Sequence, residues 1–284
     1  MILKQLPDSF DPTQLVYKKN RSPEDAISHL LHATNSHLNV GKGNYVRWLC
    51  VDYSAAFNTI VPQRLIGKIR DLEITPSLLP WYLNFLTDRP QRVRWGNNNF
   101  TDPRILNIGA PQGCGLSPLF YILYIHDCVA THPSTIIGKF ADDTVVVGLI
   151  SKNDETAYRV EVEHLTSWCT ENNLLLNVTK TKEMVMDFRR STRTPHLPIP
   201  INGTPVEEVD SYKYLGVHIS SDLTWSAHAS ALVKKTAGKL YHLRRLRKHT
   251  KSPALLKAFY SATVESVLTG SITAWYDNCH TERD

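Results

Sequence analysis

The sequence predicts an α+β fold followed by an all-helical region. Three observations carry that expectation. β-rich runs and helical runs alternate up to about residue 220, and everything after Ser226 has helical spacing. Two of the β-rich runs, Thr135 to Phe140 and Thr144 to Ile150, are separated only by Ala141-Asp142-Asp143, which is hairpin spacing with acidic residues at the turn.

The elements follow in order. Pro23 to Leu38 reads as a helix, with Ser22 as N-cap, Pro23 in the first turn and Ala26, Ile27, Leu30 and Leu31 as its apolar stripe. Tyr45 to Asp52 (YVRWLCVD) is rich in β-branched and aromatic residues, so it reads as a buried strand ending in a carboxylate. Pro62 to Leu72 and Pro76 to Leu86 are short helices, each opened by proline. Arg92 to Trp95 and Arg104 to Ile108 are expected to pair across the turn NNNFTDP. Ser117-Pro118 starts an apolar helix expected to reach Ala130. After the acidic hairpin, a helix from Asp154 to Asn172 should turn Val160, Leu165, Trp168 and Cys169 inward. A strand at Glu183 to Phe188, a proline-rich loop, and a second hairpin around Lys213 to Ile219 complete the α+β part. Two long helical patterns then run to the end, broken near Ser252-Pro253, which puts a boundary near Asp222.

Composition excludes several classes. Hydrophobic residues make up 42% and charged residues 21% of the 284, which is ordinary for a folded globular chain and rules out disorder over most of the length. There is no apolar run of about 18 residues, so no membrane partner is expected. MILKQLPDSFDP lacks the basic and apolar regions of a secretory signal. The five cysteines (Cys50, Cys114, Cys128, Cys169, Cys279) form no CxxC pair, and they read as reduced thiols of an intracellular protein of cytoplasm or nucleus. The net charge of +5 is modest, but nine of the 32 basic residues fall in the acid-free stretch from Leu223 to Val264. Lys234, Lys235, Lys239, Arg244, Arg245, Arg247 and Lys248 are the core of that stretch, and they suit either a solvated helix face or a phosphate-contact surface.

Asp52, Asp142 and Asp143 carry the chemistry. Two magnesium ions about 3.5–4 Å apart can stabilise both the entering and the leaving oxygen of an in-line attack on phosphate. Magnesium prefers hard oxygen ligands and keeps several waters, so two or three carboxylates at a sheet edge suffice. A strand ending in Asp beside a hairpin tipped with Asp-Asp supplies that set and leaves one side open.

These residues sit in motifs that resemble a known family. VDYSAAFNTI (51–60) resembles palm motif A of the reverse transcriptases of non-LTR (LINE-like) retrotransposons. GAPQGCGLSP (109–118) is similar to motif B, FADDT (140–144) to motif C and LLLNVTKTKEM (174–184) to motif D. YKYLGVHIS (212–220) contains the YLG core of motif E. All five stand in the family's order, and the resemblance runs from about Leu3 to Tyr276.

The resemblance implies a palm, an antiparallel sheet backed by helices, at 45–222, with partial fingers at 1–44 and a partial helical thumb at 223–284. It implies an RNA-directed DNA polymerase acting on an RNA template, a DNA primer and deoxynucleoside triphosphates. Two Mg2+ ions are the expected cofactors, with Mn2+ as the alternative. Asp52 and Asp142 would bind both metals, and Asp143 would be a weaker supporting carboxylate. Tyr53 would offer its backbone carbonyl. Phe57 matches the steric gate against a ribose 2′-hydroxyl, although a core aromatic is the commoner role of a lone Phe. Gln112 and Gly113 match the nucleotide-contacting PQG, with Gly109, Gly113 and Gly115 allowing close backbone approach. Lys180 matches a general acid to the leaving pyrophosphate, against the plainer reading of a solvated lysine. Tyr214, Leu215 and Gly216 match the primer grip.

There are also departures. QLVYKKNRSPEDAI (14–27) resembles the family's last fingers segment, but the Arg-Pro-Ile motif that clamps the triphosphate has no counterpart before it. The reading expects neither an endonuclease domain ahead of this segment nor a zinc knuckle behind it. The expectation is therefore a truncated copy with intact palm chemistry and weak or no activity on its own. The competing class is a non-catalytic nucleic-acid-binding remnant. An RNA-dependent RNA polymerase is disfavoured by Phe57.

Overall fold

Ser22 opens α1 (Pro23–Val40) with a reciprocal cap. The Asp25 carboxylate accepts from the Ser22 N–H at 2.8 Å, and the Ser22 hydroxyl accepts from the Asp25 N–H at 3.4 Å. In this computed structural model, residues 6, 10–41, 43–74, 76–96, 99–189, 195–250 and 252–276 are described. Cys279 lies outside them. Cys50, Cys114, Cys128 and Cys169 are free thiols.

β1 (Tyr45–Val51) follows α1, and β2 (Tyr53–Ser54) starts just beyond Asp52. Then come α2 (Pro62–Asp71) and α3 (Leu79–Leu86), the latter preceded by a 3-10 turn over Pro76–Leu78. The next segment departs from expectation. β3 (Arg89–Gln91) pairs with β6 (Arg104–Leu106), while β4 (Arg94–Trp95) pairs with β5 (Asn99–Phe100). The run Arg104–Leu106 thus finds its partner before Arg92, because the chain folds back tightly around Gly96, whose φ of +59° suits a turn.

α4 (Ser117–Tyr124) stops well short of Ala130. The carbonyls of Ile125 and Cys128 are instead turned to accept from the buried Lys139 ammonium, at 3.0 and 2.7 Å. β7 (Thr135–Phe140) and β8 (Asp143–Ile150) form the expected hairpin. In α5 (Thr156–Glu171) the buried stripe is Tyr158, Val162, Leu165 and Cys169, with Trp168 and Glu161 beside it. Val160, expected inside, is 52% exposed, because the 3.6-residue repeat anchored on Leu165 selects Tyr158 and Val162.

β9 (Leu175–Leu176) pairs with β2, and β10 (Lys182–Met186) with β1. A small hairpin of β11 (Pro200–Ile201) and β12 (Thr204–Pro205) leads to β13 (Glu207–Glu208). β14 (Ser211–Tyr214) and β15 (Val217–Ser220) make the second hairpin. The C-terminal region is α6 (Ser226–His249), then α7 (Pro253–Tyr260), a π turn at Ser261–Glu265, α8 (Ser266–Leu268) and α9 (Ile272–Trp275). The second long helix that the pattern suggested is thus divided.

The main sheet has the order β13-β10-β1-β8-β7, antiparallel except for the β10–β13 pair. β1 is central, and all seven of its residues are buried. Its alternate side chains feed two cores. Leu49 and Val51 join α2 to α5 on one face, while Val46, Trp48 and Cys50 join α1, the β14–β15 hairpin, Trp225 and Trp275 on the other.

Arg47 interrupts this apolar strand and is fully buried. It forks onto Glu183 of β10 with two bonds of 2.8 and 2.7 Å, and a third nitrogen reaches Glu155 at 2.7 Å. Tyr158 and Tyr45 donate to the same two carboxylates. Burial opposes ionisation of Glu155, but the bond from Tyr45 and the charge of Arg47 prevail and bring it to about 2.

Arg47→Leu should therefore destabilise the fold by about 3–5 kcal/mol in urea denaturation, since it strands the buried Glu183 carboxylate, while the half-buried Glu155 keeps Arg159 and Tyr45. Glu155 in the wild type has a folded pKa below its unfolded value near 4.5. Its contribution is complete above that value and is lost as pH falls towards about 2. Acid titration monitored by circular dichroism should show that loss, and should show less of it in the variant.

Candidate functional site

Strand register decides where the acidic residues meet. Val51, the last residue of β1, pairs with Thr144, and Phe140 pairs with Asp143 across the β7–β8 turn. One step past Val51 is Asp52 and one step before Thr144 is Asp143, so both leave the sheet at the same edge, with Asp142 in the turn between. Ala141 makes that turn with a φ of +56°.

The three carboxylates have no hydrogen bond or ion pair among the described residues. Burial, then the negative charges of Asp142 and Asp52, raise the Asp143 carboxyl above the usual range. The same charges reach the β14–β15 hairpin. Tyr212 is pushed up to about 12 by burial, with Cys50, Asp143 and Asp52 contributing.

Among the described residues no group of three or more His, Cys, Asp or Glu side chains stands close enough together to hold a metal ion. Three carboxylates without a counter-cation repel one another. The donor set nonetheless fits a hard divalent ion that completes its shell with water or phosphate.

Two supports of this edge were not foreseen. The chain from Thr13 to Leu15 runs beside β7, with the Lys139 N–H donating to the Thr13 carbonyl at 3.0 Å and the Leu15 N–H to the Lys139 carbonyl at 3.2 Å. Gln14, 1% exposed, then grips the strained residue of the turn: its Oε1 accepts from the Ala141 N–H at 3.1 Å and its Nε2 donates to the Ala141 carbonyl at 3.4 Å. A buried pair of Asp11 with Lys139, at 2.7 Å, holds the segment in place. The other support is the turn after β9. The Asp52 N–H donates to Thr181 Oγ1 at 3.2 Å, and the Asp52 carbonyl accepts from the Asn177 N–H at 2.8 Å. Lys180 sits on that turn, exposed, next to the residue that holds Asp52. A side chain bonding across more than a hundred residues leaves no local pattern, which is why Gln14 escapes sequence reading.

The neighbouring loop is sewn to the strand exit. The Ala110 N–H donates to the Phe57 carbonyl at 2.8 Å and the Gly109 N–H to the Ile60 carbonyl at 2.7 Å. Gly109 is obligatory there: its φ is +77°, and a Cβ would lie 2.8 Å from Asn58 Cα. Phe57 is half-buried, with its ring 4.9 Å from that of Tyr121. Gln112 is exposed and donates to Asn58 Oδ1 at 3.2 Å, while Gly113 follows at a φ of +78°. Tyr53 has its hydroxyl raised well above the usual range by burial, so its ring belongs to the core.

Tyr214 behaves similarly: it is 3% exposed and edge-on to Trp48. Leu215 and Gly216 make the hairpin turn at φ of +46° and +90°. On α6, Lys234, Lys235, Arg244, Arg245, Arg247 and Lys248 are exposed and Lys239 is half-buried, and none of them forms an ion pair among the described residues.

The sequence profile of the family described as reverse transcriptase (RNA-dependent DNA polymerase) matches residues 1–219. The chain belongs to the reverse transcriptase family. It is a reverse transcriptase domain of the kind carried by non-LTR retrotransposons. It is 27% identical over 247 residues to a probable RNA-directed DNA polymerase from transposon BS of Drosophila melanogaster, covering 81% of this chain and 26% of that protein. It is 28% identical to the corresponding proteins of the X-element and of the mobile element jockey from the same fly, covering 69% and 63% of this chain. The chain thus spans 20–26% of the length of these relatives.

Among solved structures, telomerase from Candida tropicalis in complex with a fragment of telomeric RNA superposes with a TM-score of 0.58 at 12% identity. That match covers 96% of this chain and 44% of the telomerase chain, and it establishes the reverse transcriptase fold. A short second match, residues 225–266, is to the N-terminal part of alkylated DNA repair protein alkB homolog 8 and spans too little of the chain to define a family. No helix among the described residues is long and apolar enough to cross a membrane.

Gln14→Leu should leave the overall melt little changed but strip the Ala141 peptide of both partners, a local cost of about 1–3 kcal/mol. Hydrogen exchange at Ala141 should accelerate roughly ten- to hundredfold. Unchanged exchange there would remove Gln14 from the site.

Proposed function

We propose that this chain catalyses RNA-directed DNA synthesis, with Asp52, Asp142 and Asp143 as its metal-holding carboxylates. The observation that supports this most is the β1–β8 register, which brings three uncompensated acidic residues to one open edge of the sheet. Two Mg2+ ions held by these residues and the Tyr53 carbonyl, with Mn2+ as a substitute, would stabilise the entering and leaving oxygens of nucleotidyl transfer.

The remaining roles belong to the chain's own side chains. Phe57, backed by Tyr121, presents a ring edge where a ribose 2′-hydroxyl would collide. Gln112 and Gly113, held over Asn58, form the wall against the incoming deoxynucleoside triphosphate and its template partner. Lys180, on the turn that fixes Asp52, is the candidate proton donor to pyrophosphate. Tyr214, Leu215 and Gly216 hold the primer end from below, with Tyr214 acting through its buried ring. The unpaired cations of α6 follow the phosphates of the RNA template and DNA primer.

Primer extension on an RNA template tests the reading. Asp142→Asn should cut extension a hundredfold or more, on the order expected for loss of a principal electrostatic group. Phe57→Ala should raise ribonucleotide incorporation relative to deoxynucleotides. Binding of primer and template by the wild type without any extension would overturn the proposal, and unchanged sugar selectivity would overturn the role of Phe57.

A further inference from the structure

Between α3 and the loop that carries Gln112, the chain projects a two-stranded ribbon built from β3 to β6. Every described residue from Pro90 to Ile105 is exposed. Val93, Trp95, Phe100 and Ile105 are 60%, 53%, 51% and 57% accessible. An isolated hairpin is marginal in water, and four large apolar side chains left in solvent on one element signify an absent occupant.

The described residues of the ribbon are bonded across it. The Val93 N–H donates to Thr101 Oγ1 at 3.0 Å, and the Thr101 N–H to the Val93 carbonyl at 2.9 Å. Register puts Arg94 opposite Phe100, with the guanidinium 5.9 Å from the ring centre, and Trp95 opposite Asn99 on the other face. The foot is fixed as well. Arg89 donates to the carbonyls of Ile108 and Gly109, both at 2.8 Å, and so ties the ribbon to the Gly109–Gln112 loop.

Charge identifies the occupant. Arg89, Arg92, Arg94 and Arg104 stand on the ribbon against a single carboxylate, Asp102. An apolar protein surface would bury guanidinium groups without neutralising them. A polyanion with flat apolar faces meets both needs, since bases stack on Trp and Phe while phosphates pair with Arg.

We infer that the 89–106 ribbon is a two-sided stacking platform for unpaired template RNA on its way to Gln112, with the Phe100 ring on one face and the Trp95 ring on the other. This rests on the polymerase reading of the neighbouring site. The test measures binding of the whole chain to two RNA–DNA probes without nucleotide, by fluorescence anisotropy. One probe is a blunt primer–template duplex; the other carries an unpaired 5′ RNA overhang of about ten nucleotides. The overhang should tighten binding by the wild type. The double variant W95A/F100A should lose that gain, roughly tenfold, with blunt-duplex affinity unchanged. R92A/R94A should lower the salt slope of overhang binding by about 2.

Equal overhang affinity in wild type and W95A/F100A would overturn the inference. A variant that kept overhang binding but changed oligomeric state in sedimentation would overturn it too, by making the ribbon a protein contact. The polymerase reading fails separately. If extension is absent while the overhang gain is present and lost in W95A/F100A, the platform survives and the catalytic role does not.

Discussion

The antiparallel register of β1 with β8 fixes where three carboxylates emerge, and a slip of one residue would exchange the two faces of the central strand. Trp48 would then enter the core that now holds Leu49. Arg47 would leave Glu183 and Glu155 and face the apolar side now lined by Val46 and Cys50. Burying an ion pair adds little net stability, but removing a charge from its partner in the interior is costly. The network around Arg47 therefore acts as a register lock at one end of β1, while Asp52 stands at the other.

Local turns then refine what the register sets. Ala141, next to Asp142, and Gly109, in the neighbouring loop, both occupy left-handed backbone, and both are held by bonds from distant segments. Gln14 holds the first, and Asn177 with Thr181 holds the Asp52 peptide. The acidic edge is thus assembled from four stretches of chain. Burial first, and then the mutual repulsion of its carboxylates, raise the Asp143 carboxyl, a state that a divalent cation would relieve.

Much of this was legible in the sequence because it depends on short-range pattern. The capped start of α1, the buried run of β1 and the β7–β8 hairpin each follow from residues adjacent in the chain. Elements that failed did so where partners were remote. α4 ended early because Lys139 claims the carbonyls that would continue it. The ribbon paired differently because a tight reversal at Gly96 competed with the longer turn, and neither choice was decided by burial. Val160 was turned the wrong way because one apolar residue in a helix does not outweigh the stripe through Leu165. Gln14 and Arg47 were silent for the same reason: an amide and a guanidinium acquire their meaning from residues more than a hundred positions away.

The most direct test is paramagnetic. Mn2+ titrated into isotopically labelled protein broadens amide signals near the ion in nuclear magnetic resonance spectra. If the acidic edge is one cation site, residues 51–53 and 142–144 should broaden together at the same Mn2+ concentration, and both effects should vanish in Asp52→Asn. Broadening of the two segments at different concentrations, or of neither, would contradict a shared site.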